Sequence, residues 1–107
     1  MADLNKTVAD ALRLGPSSRT ALSEEIDRNI KTARAEMIRS GVSDIIANSS
    51  HELIEDAIVT FCMMKMGDSS RTDRYEEGWM YQLDCIRKSS IKLSKEEETS
   101  GGNEDVQ

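Results

Sequence analysis

The stretch LIEDAIVTFCMMKMGD, residues 53–68, decides how this chain is read. It sets a cysteine and three methionines between positions 62 and 66, in a protein with one phenylalanine and one tryptophan. Such a cluster is either a sulfur-rich metal or redox site or the end of a buried helix. Ile54, Ala57, Ile58, Phe61 and Lys65 recur at helical spacing, which predicts a helix over 51–66 closed by Gly67. Consecutive side chains on that helix stand about 100° apart. A Cu(I) site needs two or three sulfurs converging on one point. Cys62 and Met66 share a face, whereas Met63 and Met64 point elsewhere. The sequence therefore reads Cys62 as a small buried hydrophobe and the methionines as deformable packing. Because the methionines are spread around the helix, more than one side is covered. Met63, Met64 and Met66 are accordingly expected at a partner interface.

Outward from this helix, every clear element is helical. After the loop GDSSR a helix is expected over 71–92, with Tyr75, Trp79, Leu83 and Ile86 on one face. Upstream, Ser49-x-x-Glu52 reads as a capping box opening the helix over 51–66, and 42–50 reads as a connector. Over 20–40, Leu22, Ile26, Ile30, Ala33 and Met37 form an apolar stripe, and Gly41 suits the left-handed cap position. Over 3–14, Leu4, Val8, Ala11 and Leu12 share a face before Gly15-Pro16 stops the helix. The expected fold is all-α, a small bundle of four helices. Its interior would contain Leu22, Ile26, Ile30, Ile54, Ile58, Phe61, Tyr75, Trp79 and Leu83. Residues 1–93 form the helical domain and 94–107 an acidic tail, disordered when alone.

The chain has 107 residues and a net charge of −6. The segment 94–107 holds one lysine and five acids, so most of the charge sits at one end. Leu, Ile, Val and Phe together number 21, a thin core of the kind that another subunit often completes. Net acidity argues against gripping a phosphate backbone, which needs Lys and Arg. The opening residues lack a signal-peptide core, and no run approaches membrane-spanning length, so a cytosol-like compartment with free thiols is expected. If the two helices flanking 68–71 run antiparallel, Cys62 and Cys85 are offset too far for a disulfide.

The residue types that carry chemistry do not assemble into a catalytic constellation. His51, the sole histidine, sits at a helix start beside Glu52, where a capping or surface role is expected. The serine pairs at 17–18, 49–50, 69–70 and 89–90 fall at expected helix ends. No Gly-rich phosphate loop and no metal-ligand spacing occurs. Neither long helix offers the basic face of a helix-turn-helix DNA reader. No enzyme activity and no cofactor are expected.

The order of features resembles a known family. A short helix ending in LRL, the long helix EEIDRNIKTARAEMIRSGV, then LIEDAIVTFCMMKMGD and DRYEEGWMYQLDCIRKSS are similar to the small head–tail connector (adaptor, "DNA-packaging") proteins of long-tailed bacteriophages. The matching positions are Gly41-Val42, Leu53, Ile54, Ala57, Ile58 and Phe61, then Met66-Gly67, and Arg74-Tyr75 with Trp79. The resemblance implies a structural protein of the virion neck, assembled in the bacterial host cytoplasm. It implies a homo-oligomeric ring, about twelve-fold, with closed symmetry. That ring would contact the portal protein and a downstream stopper or tail-completion protein, let DNA pass without sequence-specific binding, and involve no membrane. Glu96, Glu97 and Glu98 are candidate partner-interface residues in the tail. An alternative reading is a small acidic interaction protein, an antagonist or antitoxin, that binds one basic partner.

Overall fold

A computed structural model describes residues 4–88. Of these, 84% are helical and none lies in a strand, so the fold is all-α. The helices are α1 (Leu4–Ala11), α2 (Pro16–Arg39), α3 (Asp44–Ala47), α4 (Glu52–Met66) and α5 (Thr72–Lys88), with a 3-10 turn at Ser69–Arg71 before α5. The tail and Ser89-Ser90 lie outside the described residues.

The structure has five helices where four were expected, and the differences trace to local chemistry. Pro16 occupies the first position of α2 behind an extended Gly15. Its fixed φ and missing N–H suit that place, so α2 starts one turn earlier than its apolar stripe. Ser17 and Ser18 therefore sit inside the first turn and not at a cap. Within 42–50, the Ser43 hydroxyl accepts a hydrogen bond from the Ile46 amide and opens α3. The expected capping box at Ser49 does not form. The Ser49 hydroxyl, 5% exposed, donates back to the Ile46 carbonyl at 2.8 Å. His51 caps α4 instead, its Nδ1 accepting from the Leu53 amide at 3.1 Å.

Helix α4 is the hub, packing on α1, α2 and α5. Its sequence explains this: no charge interrupts it between Asp56 and Lys65, and a helix apolar on most sides has to be covered on most sides. Helices α4 and α5 run antiparallel around the 3-10 turn, bringing the Phe61 and Trp79 rings to 4.9 Å in an edge-on contact. Asn5 ties α1 to α2, donating to the Ser23 carbonyl at 3.0 Å and to Asp27 at 2.7 Å. The Arg34 guanidinium reaches from α2 to the Ala47 and Ser49 carbonyls at 2.8 and 3.1 Å, fixing the end of α3.

The interior contains Ile26, Ile54, Ile58, Phe61, Trp79 and Leu83, all buried, with Leu22 and Ile30 half-buried against them. Val8, Met37, Cys62 and Ile86 are buried as well. Tyr75 departs from the expected interior. It lies in the first turn of α5, lines a groove with Met63 and Met66 of α4, and is only half-buried. No described helix is long and apolar enough to cross a membrane.

Candidate binding groove at the turn end

The α1–α2 and α4–α5 turns lie together and leave a groove of about 470 Å³ between them. Each turn is built by its own backbone chemistry. At the end of α1, the Leu14 amide bonds to the Ala9 carbonyl at 3.1 Å and the Arg13 amide to the Asp10 carbonyl at 3.0 Å. This pair of bonds is a Schellman motif, and it requires a left-handed residue at its fifth position. That residue is Arg13, at φ 59°. The end of α2 uses the same motif, with Val42 bonded to Met37 and Gly41 to Ile38. There the left-handed residue is Gly41, at φ 114°. One motif thus has the glycine that sterics favour and the other an arginine. Arg19 braces the first turn, donating to the Leu14 carbonyl at 3.0 Å and to Asp10 at 2.6 Å. That contact, with Lys6 second, holds the Asp10 carboxyl below its ordinary range.

Across the groove, α4 closes at Gly67, whose amide donates to the Met63 carbonyl at 2.7 Å. A Cβ at Gly67 would stand 2.5 Å from that carbonyl oxygen, so only glycine fits here. Asp68 then accepts from the Ser70 amide at 3.0 Å and from its hydroxyl at 2.9 Å, starting the 3-10 turn and lowering the Asp68 pKa.

The groove floor is apolar, made by Leu12, Leu14, Leu22, Met63 and Met66. Arg13, Asp68, Arg71 and Tyr75 stand at its rim. Over the segments bounding the two turns, 10–19 and 65–74, five basic side chains face three acidic ones. In a chain of net charge −6 this end is locally basic. Neither Arg13 nor Arg71 forms an ion pair with a described carboxylate.

The sulfur stretch is split by the fold. Met63 and Met66 lie in the groove together, three residues apart, correcting the expectation that Met63 points away from Met66. Met64 is half-buried against the core away from the groove. Cys62 is fully buried, and Cys85 is exposed on α5. Since Phe61 pairs with Trp79, Cys62 lies level with Gly78, about 10 Å of helix rise short of Cys85. Glu96, Glu97 and Glu98 lie outside the described residues. The sequence did not single out Arg13 or Arg71, and it placed Tyr75 in the interior and not at a groove. The only signal for Arg13 was its place just before Gly15-Pro16, which marks a helix end but not the backbone conformation of the last residues.

Two expected results follow from this geometry. Burial pushes the Cys62 thiol from 9.0 up to about 12. At pH 8 its thiolate fraction is then on the order of 10⁻⁴. Iodoacetamide should label Cys85 in the native protein and Cys62 only after unfolding, as a timed peptide map will show. Equal native rates would place Cys62 wrongly. Because the folded value exceeds the unfolded one, the stability from a neutral Cys62 is present below about pH 9 and lost as pH climbs toward 12. For Arg13, the left-handed conformation costs a non-glycine residue about 1 kcal/mol, partly offset by the greater freedom of unfolded glycine. Arg13→Gly should raise stability by about 0.5–1 kcal/mol, readable as a higher Tm. An unchanged or lower Tm would mean that Arg13 makes compensating contacts.

No family model, curated protein or solved structure matches this chain.

Proposed function

We propose that the chain is a structural head–tail connector protomer of a tailed phage, forming a ring beneath the portal through which DNA passes. The reading rests on the sequence resemblance and is supported by one observation. Large apolar side chains stand exposed on several elements. Ile38 stands at the end of α2, Ile45 in α3 and Leu53 at the start of α4, whereas Met80 and Tyr81 lie midway along α5, Tyr81 being 71% exposed. A protomer in a closed ring presents two different faces to its two neighbours. Scattered apolar side chains are ordinary on a surface, but large ones exposed both around the α2–α3 connection and along α5 suit a head-to-tail contact. A domain 18 Å across its thinnest axis is about two helices deep, a shape that leaves much of each helix for neighbours to cover.

The test is assembly. Purified protein at rising concentration, alone and with a phage portal ring, is followed by sedimentation and by electron microscopy. Rings with a central hole, or co-sedimentation with the portal, support the reading. A chain that stays monomeric or dimeric, ignores the portal and captures one basic partner protein supports the antagonist reading instead.

A further inference from the structure

We infer that the groove at the turn end receives the acidic segment 94–107 of a second copy of this chain. This rests on the self-assembly part of the connector reading and gives it a specific contact.

The first argument is charge. The rim offers Arg13 and Arg71, neither within ion-pair distance of a described carboxylate, although Arg71 also acts on the rim's Asp68 at longer range, at the locally basic end of the domain. The segment 94–107 has five acids against Lys95, and three of them, Glu96, Glu97 and Glu98, are consecutive. The second argument is the floor. Met63, Met66 and Leu22 offer deformable apolar surface, on which the methylene stems of glutamates can lie while their carboxylates meet the rim. The third is the backbone of Arg13. A left-handed non-glycine residue carries strain, and here it sets a guanidinium at the groove mouth.

The choice of a second copy follows from direction. Tyr75 lines the groove at the start of α5, and Lys88 lies 13 residues further along the helix, about 20 Å away. The eight residues from Lys88 to Glu96 span at most about 26–29 Å when fully extended. A return of the triplet to its own groove would stretch them to about three quarters of that length, beyond the roughly 16 Å typical of a flexible eight-residue chain. A second copy imposes no such demand. The contact is head-to-tail and joins unlike surfaces, so it propagates from copy to copy and closes where the rotation allows.

The experiment uses the full chain. Equal amounts of ¹⁴N- and ¹⁵N-labelled protein are mixed and treated with a carbodiimide, which joins carboxylates to amines in direct contact. In an Arg71→Lys variant, which puts an amine on the groove rim, residue 71 should link to Glu96, Glu97 or Glu98 in mixed-isotope pairs. Links confined to single-isotope pairs would show a return within one chain and overturn the inference, as would the absence of links to residue 71. Sedimentation then reads a charge swap. Arg13→Glu with Arg71→Glu should weaken self-association at least about ten-fold, and Glu96→Lys, Glu97→Lys and Glu98→Lys should match it. Combining the two sets should restore most of the loss. Failure of the swap to restore association sinks the inference. Arg13→Gly guards against misfolding, since it relieves strain while removing the guanidinium, and it should also weaken association. Rings of ordinary size from the triple lysine variant overturn this contact and leave the connector reading intact. A chain that never self-associates and ignores the portal removes both.

Discussion

Phe61→Ala lowers stability by about 3–5 kcal/mol, the largest loss expected from a single truncation in this chain. Phe61 is 3% exposed and lies on α4, the helix that every long neighbour touches. Its ring meets the Trp79 ring edge-on at 4.9 Å and an interplanar angle of 61°. Such aromatic pairs contribute about 0.5–1.5 kcal/mol beyond the area they bury. Lys65 adds an ammonium 5.4 Å from the ring centre. These are the chain's sole phenylalanine and sole tryptophan, and the two tyrosines are half-buried (Tyr75) or exposed (Tyr81), so neither ring of the pair has a buried substitute. A small domain has about 5–15 kcal/mol in total, and this loss consumes a large share of it. The measurement is denaturant unfolding followed by Trp79 fluorescence, which reports from the site itself. Phe61→Leu should cost markedly less, because it keeps most of the volume. A midpoint unchanged in Phe61→Ala would mean that α4 and α5 do not pack as described.

The elements easiest to see in the sequence are those whose signal is an apolar stripe. Ile26, Ile54, Ile58, Phe61, Trp79 and Leu83 could be placed in one interior because burial imposes helical spacing on them. Gly41 was legible because only glycine takes its backbone conformation cheaply. The boundaries were harder. Four hydroxyl or imidazole groups, at 43, 49, 50 and 51, compete over 43–51, and the capping preference does not say which wins. Ser43 and His51 cap the helices, and Ser49 turns inward. The groove was illegible for a different reason. It is formed by residues on both sides of two turns that are far apart in sequence, and no periodicity connects Leu12 and Arg13 with Met66 and Arg71. Met63 and Met66 were picked out by composition, and their shared groove emerged only from the packing. Tyr75 continued the α5 stripe by spacing, yet beside it α4 and the α1–α2 turn leave a groove open, so this first member of the stripe is only half-buried.

Arg34→Met should cost about 2–4 kcal/mol, with the damage centred on α3. One guanidinium nitrogen serves the carbonyls of both Ala47 and Ser49, at 2.8 and 3.1 Å. Those residues are buried at 0% and 5% exposure. Hydrogen bonds to a charged group contribute about 1.5–3 kcal/mol, and a buried carbonyl left unpaired costs its desolvation as well. Methionine keeps the apolar stem against α2's neighbours and removes the donors, so packing loss is small by comparison. Burial lowers the Arg34 pKa and the charge of Glu55 opposes that shift, but a guanidinium stays charged across the working pH range. The loss should therefore not titrate. Helix α3 has only four residues, Asp44–Ala47, too few to persist without a tertiary tie. Amide exchange at Ala47, Asn48 and Ser49 should accelerate more than exchange in α4 and α5. Arg34→Lys should recover only part of the loss, because an ammonium is a point donor and not a planar fork. The effect reaches function through position. Ile45 sits on α3 and is exposed, as are Ile38 at the end of α2 and Leu53 at the start of α4. If Ile45 is part of a ring contact, Arg34→Met should reduce self-association at temperatures where the rest of the domain remains folded. Unchanged exchange at 47–49 together with an unchanged Tm would mean that α3 is held by its own caps, and that Arg34 does not organise this end of the molecule.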